Sequence, residues 1–191
     1  MSAPKILAFG GSLRADSFNQ KLVSIAAGAA REAGAEVTLL RLSDYPLAVY
    51  NGDDEERDGL PANAVKLKKL FIESDGFLIS SPEYNSSISA ALKNTIDWVS
   101  RPAPNEPPLA GFAGKAAALM SASPGALGGL RGLVHVRAIL GNIRVIVLPD
   151  QMAINSAHEA FDDRGALRDT SKQEIIRGLG RGLAEFLKKH R

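Results

Sequence analysis

Short apolar runs alternate with helical patterns along this chain, and that alternation limits its fold more than any other feature. Five runs predict strands buried on both faces, at residues 5–9, 36–42, 76–80, 116–121 and 143–148. Apolar residues recur at helical spacing after each run. Parallel strands joined by right-handed helical crossovers carry helices on both faces of one sheet. The pattern therefore predicts an α/β fold of the doubly wound class, a three-layer sandwich.

The helical patterns fix the number of units and hence the strand order. The apolar stripes are Leu22, Ile25, Ala26, Ala29 and Ala30; Leu67, Leu70 and Phe71; Ile88, Leu92, Thr95, Ile96 and Val99; Leu130, Leu133, Val136 and Leu140; and Ile176, Leu179, Leu183, Phe186 and Leu187. Five strand and helix units in 191 residues suit a flavodoxin-like, five-stranded parallel sheet in the order 2-1-3-4-5. We expect a single domain over residues 1–191. The charged stretch 53–59 and the proline-rich stretch 101–114 predict surface loops.

The composition excludes several kinds of chemistry. The chain has no cysteine, so disulfides, thiolate nucleophiles and Cys-ligated metals are excluded, and redox chemistry requires a bound cofactor. His135, His158 and His190 have no partner at metal-ligand spacing, and no Gly-x-Ser-x-Gly elbow is present. We therefore predict no metal site and nominate no catalytic side chain.

Charge and hydropathy restrict the partners. The 23 basic and 21 acidic residues nearly balance, at a net charge of +2, which gives no support to nucleic-acid binding. The apolar run near the N-terminus is shorter than the core of a signal peptide and far shorter than a membrane span. We expect a cytoplasmic protein that binds neither nucleic acid nor membrane.

The loop after the first predicted strand has the character of a phosphate cradle. Gly10 and Gly11 allow close approach of the backbone, Ser12 and Ser17 supply hydroxyls, and Arg14 supplies a two-pronged cation. The start of the next helix adds positive potential. The alternative is that Ser17 or Asn19 only caps the helix while Arg14 is a solvated surface residue. No P-loop or Gly-x-Gly-x-x-Gly motif is present, so a mononucleotide phosphate fits better than ATP or a dinucleotide.

Two further loops follow the third and fourth predicted strands. In residues 81–87, Pro82 stiffens the chain while Tyr84 and Asn85 offer a platform for a planar heterocycle. The alternative is a tight turn in which Ser86 or Ser87 caps the next helix, with Glu83 as its exposed dipole partner. Residues 121–129 either present backbone donors to a ring carbonyl or form a flexible turn. In the predicted strand order these loops converge with the first at a switch point, where ligands bind.

These loops resemble the NADPH-dependent FMN reductase family, which includes bacterial quinone and chromate reductases. The matching stretches lie between about residue 4 and residue 150, and they are GSLR (11–14), SFN (17–19), PEYNSSI (82–88), LKN (92–94), IDW (96–98) and the glycines and arginine of 125–131. The resemblance implies that Ser12, Arg14, Ser17, Phe18 and Asn19 hold the phosphate region of non-covalently bound FMN. It also implies that Pro82, Glu83, Tyr84 and Asn85 line the ring and ribityl chain, with Ser121 beside them.

The resemblance implies an activity as well. Such an enzyme takes electrons from NADPH or NADH and passes them in pairs, in ping-pong fashion, to a small-molecule acceptor such as a quinone, free flavin or chromate. Family members form homodimers or homotetramers. Two alternatives stay open, a flavodoxin-type electron carrier and a flavin-binding sensor without catalysis. The sequence leaves undetermined the physiological acceptor and the preference between the two nucleotides.

Overall fold

The computed structural model describes residues 2–190. Its strands are β1 (Lys5–Gly10), β2 (Glu36–Arg41), β3 (Gly76–Ser80), β4 (Glu83–Tyr84), β5 (Ser87–Ile88), β6 (Ala116–Ala122) and β7 (Ile146–Ile154). Five of them form a parallel sheet in the order β2-β1-β3-β6-β7, while β4 and β5 form a separate antiparallel hairpin. Counted along the strands of the main sheet, this is the predicted order 2-1-3-4-5, which is confirmed.

Helices cover both faces of the sheet. They are α1 (Phe18–Glu32), α2 (Gly52–Asp58), α3 (Ala62–Glu73), α4 (Ala90–Val99), α5 (Leu130–Asn142), α6 (Ala157–Ala160) and α7 (Thr170–His190), with a 3-10 turn at Leu42–Asp44. Across residues 2–190, no helix combines the length and the apolarity that a membrane crossing requires.

Two apolar cores lie on opposite faces of the sheet, and β1 contributes to both. Ile6 and Ala8 pack with α1 and α7, whereas Leu7 and Phe9 pack with α3, α4 and α5. Successive strand residues point to opposite faces, so one strand serves both cores. The predicted three-layer sandwich is confirmed.

The outer strands differ from the prediction. Every residue of β3 and β6 is buried, but β2 and β7 have neighbours on one side only, and most of their residues are not buried. The predicted fifth strand is also misplaced, because Ile143 ends α5 and the strand runs on to Ile154. Pro149 lies where the pairing of β7 with β6 shifts in register. This position suits proline, because it has no N–H to donate to the hydrogen bonds between the strands.

The predicted loop at residues 53–59 is wrong, since most of it forms α2. The Asn51 side chain accepts a hydrogen bond from the Asp53 N–H at 3.1 Å, and acidic residues in the first turn suit the helix dipole. No residue of α2 is buried. A helix without an apolar face has no hydrophobic periodicity, so the pattern could not show it. In the other predicted surface loop, 101–114, Phe112 is 1% exposed and packs in the core.

Candidate functional site

An open cleft lies where the loops leave the carboxyl ends of β1, β3 and β6. Its volume is about 190 Å³. The lining residues are Ser12, Arg14, Ser17, Phe18, Asn19, Pro82, Glu83, Tyr84, Ala122, Ser123 and Pro124. Most residues proposed from the sequence are therefore brought together, whereas Asn85 and Ser121 do not line the cleft.

The first turn of α1 presents backbone donors at the cleft. Ser17 is the N-cap, and its hydroxyl oxygen accepts a hydrogen bond from the Gln20 N–H at 3.2 Å. Helix geometry gives the N–H groups of Phe18 and Asn19 no acceptor within the helix. These donors, at the positive end of the helix dipole, suit an anion. Helix capping was considered as the alternative to anion binding at Ser17. The two roles are compatible, because the cap uses one donor of the first turn and leaves others free.

The loop between β1 and α1 passes close to its neighbours at Gly11. A Cβ added to Gly11 would lie 3.1 Å from the Leu92 side chain and 3.2 Å from Pro82. The Gly11 N–H donates to the Ser80 carbonyl at 2.8 Å, and its carbonyl accepts from the Ser89 hydroxyl. The backbone of the cradle is therefore fixed against β3 and the start of α4.

Arg14 is the cation at the rim of this cradle. Its backbone N–H donates a hydrogen bond to the Ser12 hydroxyl oxygen at 3.3 Å. Within the described residues 2–190, its guanidinium forms no ion pair. The nearby Asp16 is instead paired with Lys21 at 2.5 Å. The hydrogen bond from Lys21, and to a lesser extent the charge of Arg14, lowers the pKa of the Asp16 carboxyl. The charge of Arg14 is thus available to a ligand.

Asn19 joins the two sides of the cleft through its side chain. Its Nδ2 donates to the Ala122 carbonyl at 2.8 Å, and its Oδ1 accepts from the Ala122 N–H at 3.0 Å and the Ser80 hydroxyl at 2.8 Å. With the side chain engaged in this way and 4% exposed, Asn19 can offer a ligand only its backbone. Gln20 is a similar brace that was not predicted from the sequence: its side chain accepts a hydrogen bond from the Gly10 N–H and donates one to the Leu40 carbonyl.

The loop after β3 is a tight β-hairpin. Asn85 and Ser86 have φ angles of 49° and 66°, the left-handed conformation that a two-residue hairpin turn requires. Asn85 is exposed at the turn and outside the cleft. Helix α4 begins after Ser89, whose hydroxyl accepts from the Leu92 N–H at 3.1 Å. Of the alternative considered for this loop, the tight turn is confirmed, but the cap at Ser86 or Ser87 is wrong. The placement of Ile88 in the helix is wrong as well, because Ile88 belongs to β5.

Tyr84 is the hairpin residue that presents a large exposed side chain at the cleft. Its side chain is large and 53% exposed. It lines the cleft and also a neighbouring cavity of about 460 Å³, which is bordered by residues 11–14 and 89–91. Arg14 and Ser12 line both spaces as well. The ring of Tyr84 thus offers a flat surface beside the phosphate cradle.

The Glu83 carboxylate is engaged by α5. Its Oε2 accepts from the Gly132 N–H at 3.0 Å, and its Oε1 accepts from Arg131 Nε at 2.9 Å. Burial opposes ionisation, but the Gly132 N–H and the Arg131 guanidinium outweigh it and lower the pKa of Glu83. With 7% of its side chain exposed, Glu83 is not the exposed partner of the α4 dipole that was considered. Its carboxylate is instead bonded to the first turn of α5.

Ser121 is fully buried, and its hydroxyl donates to the Ser81 carbonyl at 2.7 Å. Its neighbours Ala122, Ser123 and Pro124 line the cleft instead. The sequence did indicate this loop, but the pattern could not show which residues face the opening, because β6 is buried on both faces up to Ala122.

Similarity to known proteins extends over nearly the whole chain. The sequence model of the NADPH-dependent FMN reductase family matches residues 4–159. An NAD(P)H-dependent FMN reductase of Pseudomonas aeruginosa is 37% identical over 173 residues, covering 90% of this chain and 89% of that protein. A quinone reductase of Escherichia coli is 32% identical over 182 residues, covering 94% and 93%. FerB, a flavoenzyme NAD(P)H:(acceptor) oxidoreductase from Paracoccus denitrificans, has a TM-score of 0.80 at 28% identity, with coverage of 98% of this chain and 99% of that one.

Proposed function

The chain belongs to the NADPH-dependent FMN reductase family, and on that premise we propose that the cleft at the sheet edge is its FMN site. The protein is an FMN-dependent oxidoreductase that takes its electrons from NAD(P)H. Bound FMN would supply the chemistry of two-electron transfer between NAD(P)H and an acceptor. The residues that line the cleft would bind this cofactor and orient it.

The observation that carries the proposal is the cradle at the start of α1. The N–H groups of Phe18 and Asn19 have no acceptor in the helix, and the Arg14 guanidinium has no ion-pair partner within residues 2–190. Ser12 and Ser17 place hydroxyls in the same opening. A phosphate dianion satisfies all of these groups at once, through the donors, the cation and the helix dipole.

The ring end of the cofactor is assigned to the two loops that form the rest of the cleft. Pro82 and Tyr84 lie on one wall, and Ser123 and Pro124 on the other. These side chains present apolar surface and two hydroxyls, those of Tyr84 and Ser123, to a planar heterocycle, and none of the four is a charged group that a neutral ring would have to desolvate. By its position at the hairpin turn, Asn85 is proposed to contact a ligand only at the rim.

Quinones, free flavin and chromate are the proposed acceptors, with two electrons transferred in ping-pong order because donor and acceptor use the same opening in turn. The neighbouring cavity supports an aromatic acceptor. Its lining includes the side chains of Leu13, Tyr84, Ala90 and Ala91 beside Ser12 and Arg14, and the Ser89 hydroxyl is already engaged. We further propose a single-domain protein over residues 1–191, acting in the cytoplasm as a homodimer or homotetramer.

The first test is an absorbance titration of the protein reconstituted with FMN. Anaerobic NADPH should bleach the flavin band near ~450 nm, and a quinone should restore it. Initial rates at several quinone concentrations should give parallel reciprocal plots. Bound flavin that NADPH fails to bleach would identify a carrier or a sensor, and failure to bind flavin would overturn the site.

The cradle is tested by the variant Arg14→Ala, compared for FMN and for riboflavin, which lacks the phosphate. We expect FMN affinity to fall by roughly tenfold to a hundredfold and riboflavin affinity to stay unchanged. Arg181→Ala, on α7 and paired with Glu174, is the matched control for the loss of a surface guanidinium. An equal loss for both flavins would show that Arg14 acts on the fold of the loop and not on the phosphate.

A further inference from the structure

We infer that Glu83 is a positioning residue, whose carboxylate fixes the hairpin wall of the cleft onto the N-terminus of α5 and so sets where a bound flavin ring lies. This inference rests on the proposed function, since it concerns the same cleft. The residues involved are Glu83 and Ser87 on the hairpin, and Arg131, Gly132 and His135 on the helix.

The hydrogen bond from the first turn of α5 stabilises this contact more than the ion pair between Glu83 and Arg131 does. Arg131 is 56% exposed and its guanidinium is accordingly well solvated, whereas the Glu83 side chain is 7% exposed. An ion pair with a solvent-exposed partner contributes little to stability. The Gly132 N–H, 3.0 Å from Glu83 Oε2, lies in the first turn of α5, where backbone donors lack intrahelical acceptors and the dipole favours a negative charge. Glu83 therefore serves as a cap that α5 does not obtain from its own N-cap residue, Gly129.

A second contact holds the other strand of the hairpin one turn further along the helix. His135 Nδ1 lies 2.8 Å from the Ser87 hydroxyl. Between the two contacts the surfaces touch closely, because a Cβ added to Gly132 would lie 3.3 Å from the Ser87 carbonyl and 3.4 Å from the Glu83 Cβ. Both strands of the hairpin are thus fastened to one helix.

The same helix is joined directly to the opposite wall. The chain passes from Ser123 and Pro124, which line the cleft, through residues 125–128 into the N-cap at Gly129. That turn is closed by a hydrogen bond from the Gly128 N–H to the Gly125 carbonyl at 3.1 Å. Helix α5 consequently sets the separation of Tyr84 from Pro124. Loss of the Glu83 contact releases the first strand of the hairpin from α5, since the Ser87–His135 contact holds only the second, and it leaves the phosphate cradle intact.

This arrangement predicts a signature that differs from that of a cofactor ligand. Both Glu83 oxygens are already engaged, so removal of the carboxylate acts on the ring wall and not on the phosphate. Glu83→Ala should weaken binding of FMN and of riboflavin by the same factor, about tenfold. It should also change the visible circular dichroism of the bound flavin, which reports the surroundings of the ring. Arg14→Ala should weaken FMN alone and leave the riboflavin spectrum unchanged.

The experiment measures dissociation constants for both flavins and the visible circular dichroism of each saturated complex. Glu83→Gln, which keeps an acceptor for the Gly132 N–H, should recover part of the affinity and the native spectrum. Ser87→Ala should reproduce the spectral change in weaker form, and it serves as the test if Glu83→Ala does not fold. Glu32→Ala, which breaks an ion pair with Arg177 far from the hairpin, is the matched control.

The outcomes separate this inference from the proposed function. Native constants and spectra in the folded Glu83 and Ser87 variants would overturn the positioning role while leaving the FMN site in place. A loss confined to FMN would also overturn it, because it would make Glu83 part of the phosphate cradle. Failure of the unmodified protein to bind either flavin would overturn the proposed function and this inference together.

Discussion

Two helices begin at the same edge of the sheet, and they satisfy their first turns in opposite ways. Helix α1 is capped locally, by the hydroxyl of Ser17 three residues before the N–H that it accepts from. Helix α5 starts at Gly129 without a side-chain cap and receives the carboxylate of Glu83, 49 residues away in sequence, onto its Gly132 N–H. The N-terminus of α1 therefore keeps backbone N–H groups available to a ligand, whereas the N-terminus of α5 is bonded to a side chain of the same protein.

The difference shows how a fold can assign different tasks to similar elements. Every helix N-terminus has backbone donors and a positive potential, yet α5 uses a donor of its first turn to hold a wall of the cleft, and α1 leaves two for a ligand. An anion is therefore expected at α1 and not at α5. Four changes test this contrast, from the largest expected effect on stability to the smallest.

The largest effect should come from Gly129→Ala at the start of α5. Gly129 has a φ of 93°, and an added Cβ would lie 1.9 Å from Ser121 Oγ and 3.0 Å from Ser121 Cβ. Left-handed strain and overpacking together should lower the free energy of unfolding by about 3 kcal/mol. Chemical denaturation measures it. Gly178→Ala on α7, where a Cβ meets nothing within 4 Å, is the control and should be neutral or stabilising by roughly 0.5–1 kcal/mol.

Asn19→Ala should follow, at about 2 kcal/mol, because it leaves both the N–H and the carbonyl of Ala122 without their side-chain partner. Denaturation of the flavin-free protein gives the value directly. Asn63→Ala, which removes one exposed hydrogen bond to the Pro46 carbonyl, is the control. Equal costs for the two variants would contradict the bracing role that we assign to Asn19.

Removal of the local cap should cost less. Ser17→Ala should destabilise the flavin-free protein by about 1 kcal/mol. Ser17→Asp keeps a capping acceptor, so it should retain stability while placing a negative charge in the cradle. We expect FMN affinity of Ser17→Asp to fall at least about tenfold, with riboflavin affinity unchanged. Undiminished FMN binding would mean that the phosphate lies elsewhere.

The smallest effect is a pH dependence at the α5 contact. The folded-state pKa of Glu83 lies below its ordinary value of 4.5, so its contribution to stability is complete above about pH 4.5 and is lost as the pH falls through the folded-state pKa. The difference in unfolding free energy between the native protein and Glu83→Gln should therefore narrow from pH 6 to pH 3. Glu56→Gln, which removes a carboxyl on α2, controls for general charge effects. A constant difference would contradict a depressed pKa.

Local pattern accounted for the cradle and for most of the architecture. The alternation of strands and helices predicted the sheet order, because crossover handedness leaves few topologies. Gly10 and Gly11 before a serine-capped helix indicated the loop that we propose as the anion site, since all of its parts lie within ten residues. The local pattern did not predict α2, because that helix has no buried face. It also misplaced β7, whose edge position and register shift depend on its pairing with β6.

The sequence by itself thus determined the fold class, the loop before α1 that we propose as the phosphate cradle, and the absence of cysteine chemistry, because each depends on residue type and on spacing along the chain. Only the tertiary structure decided that the Glu83 carboxylate belongs to α5, that the Asn19 side chain braces β3 and β6, and that Ser121 is buried while Ser123 faces the cleft. These outcomes join residues about 40 to 100 positions apart. The free energy of such contacts depends on how deeply each side chain is buried and on how its hydrogen-bonding groups are oriented. Both are set only when the strands and helices pack together.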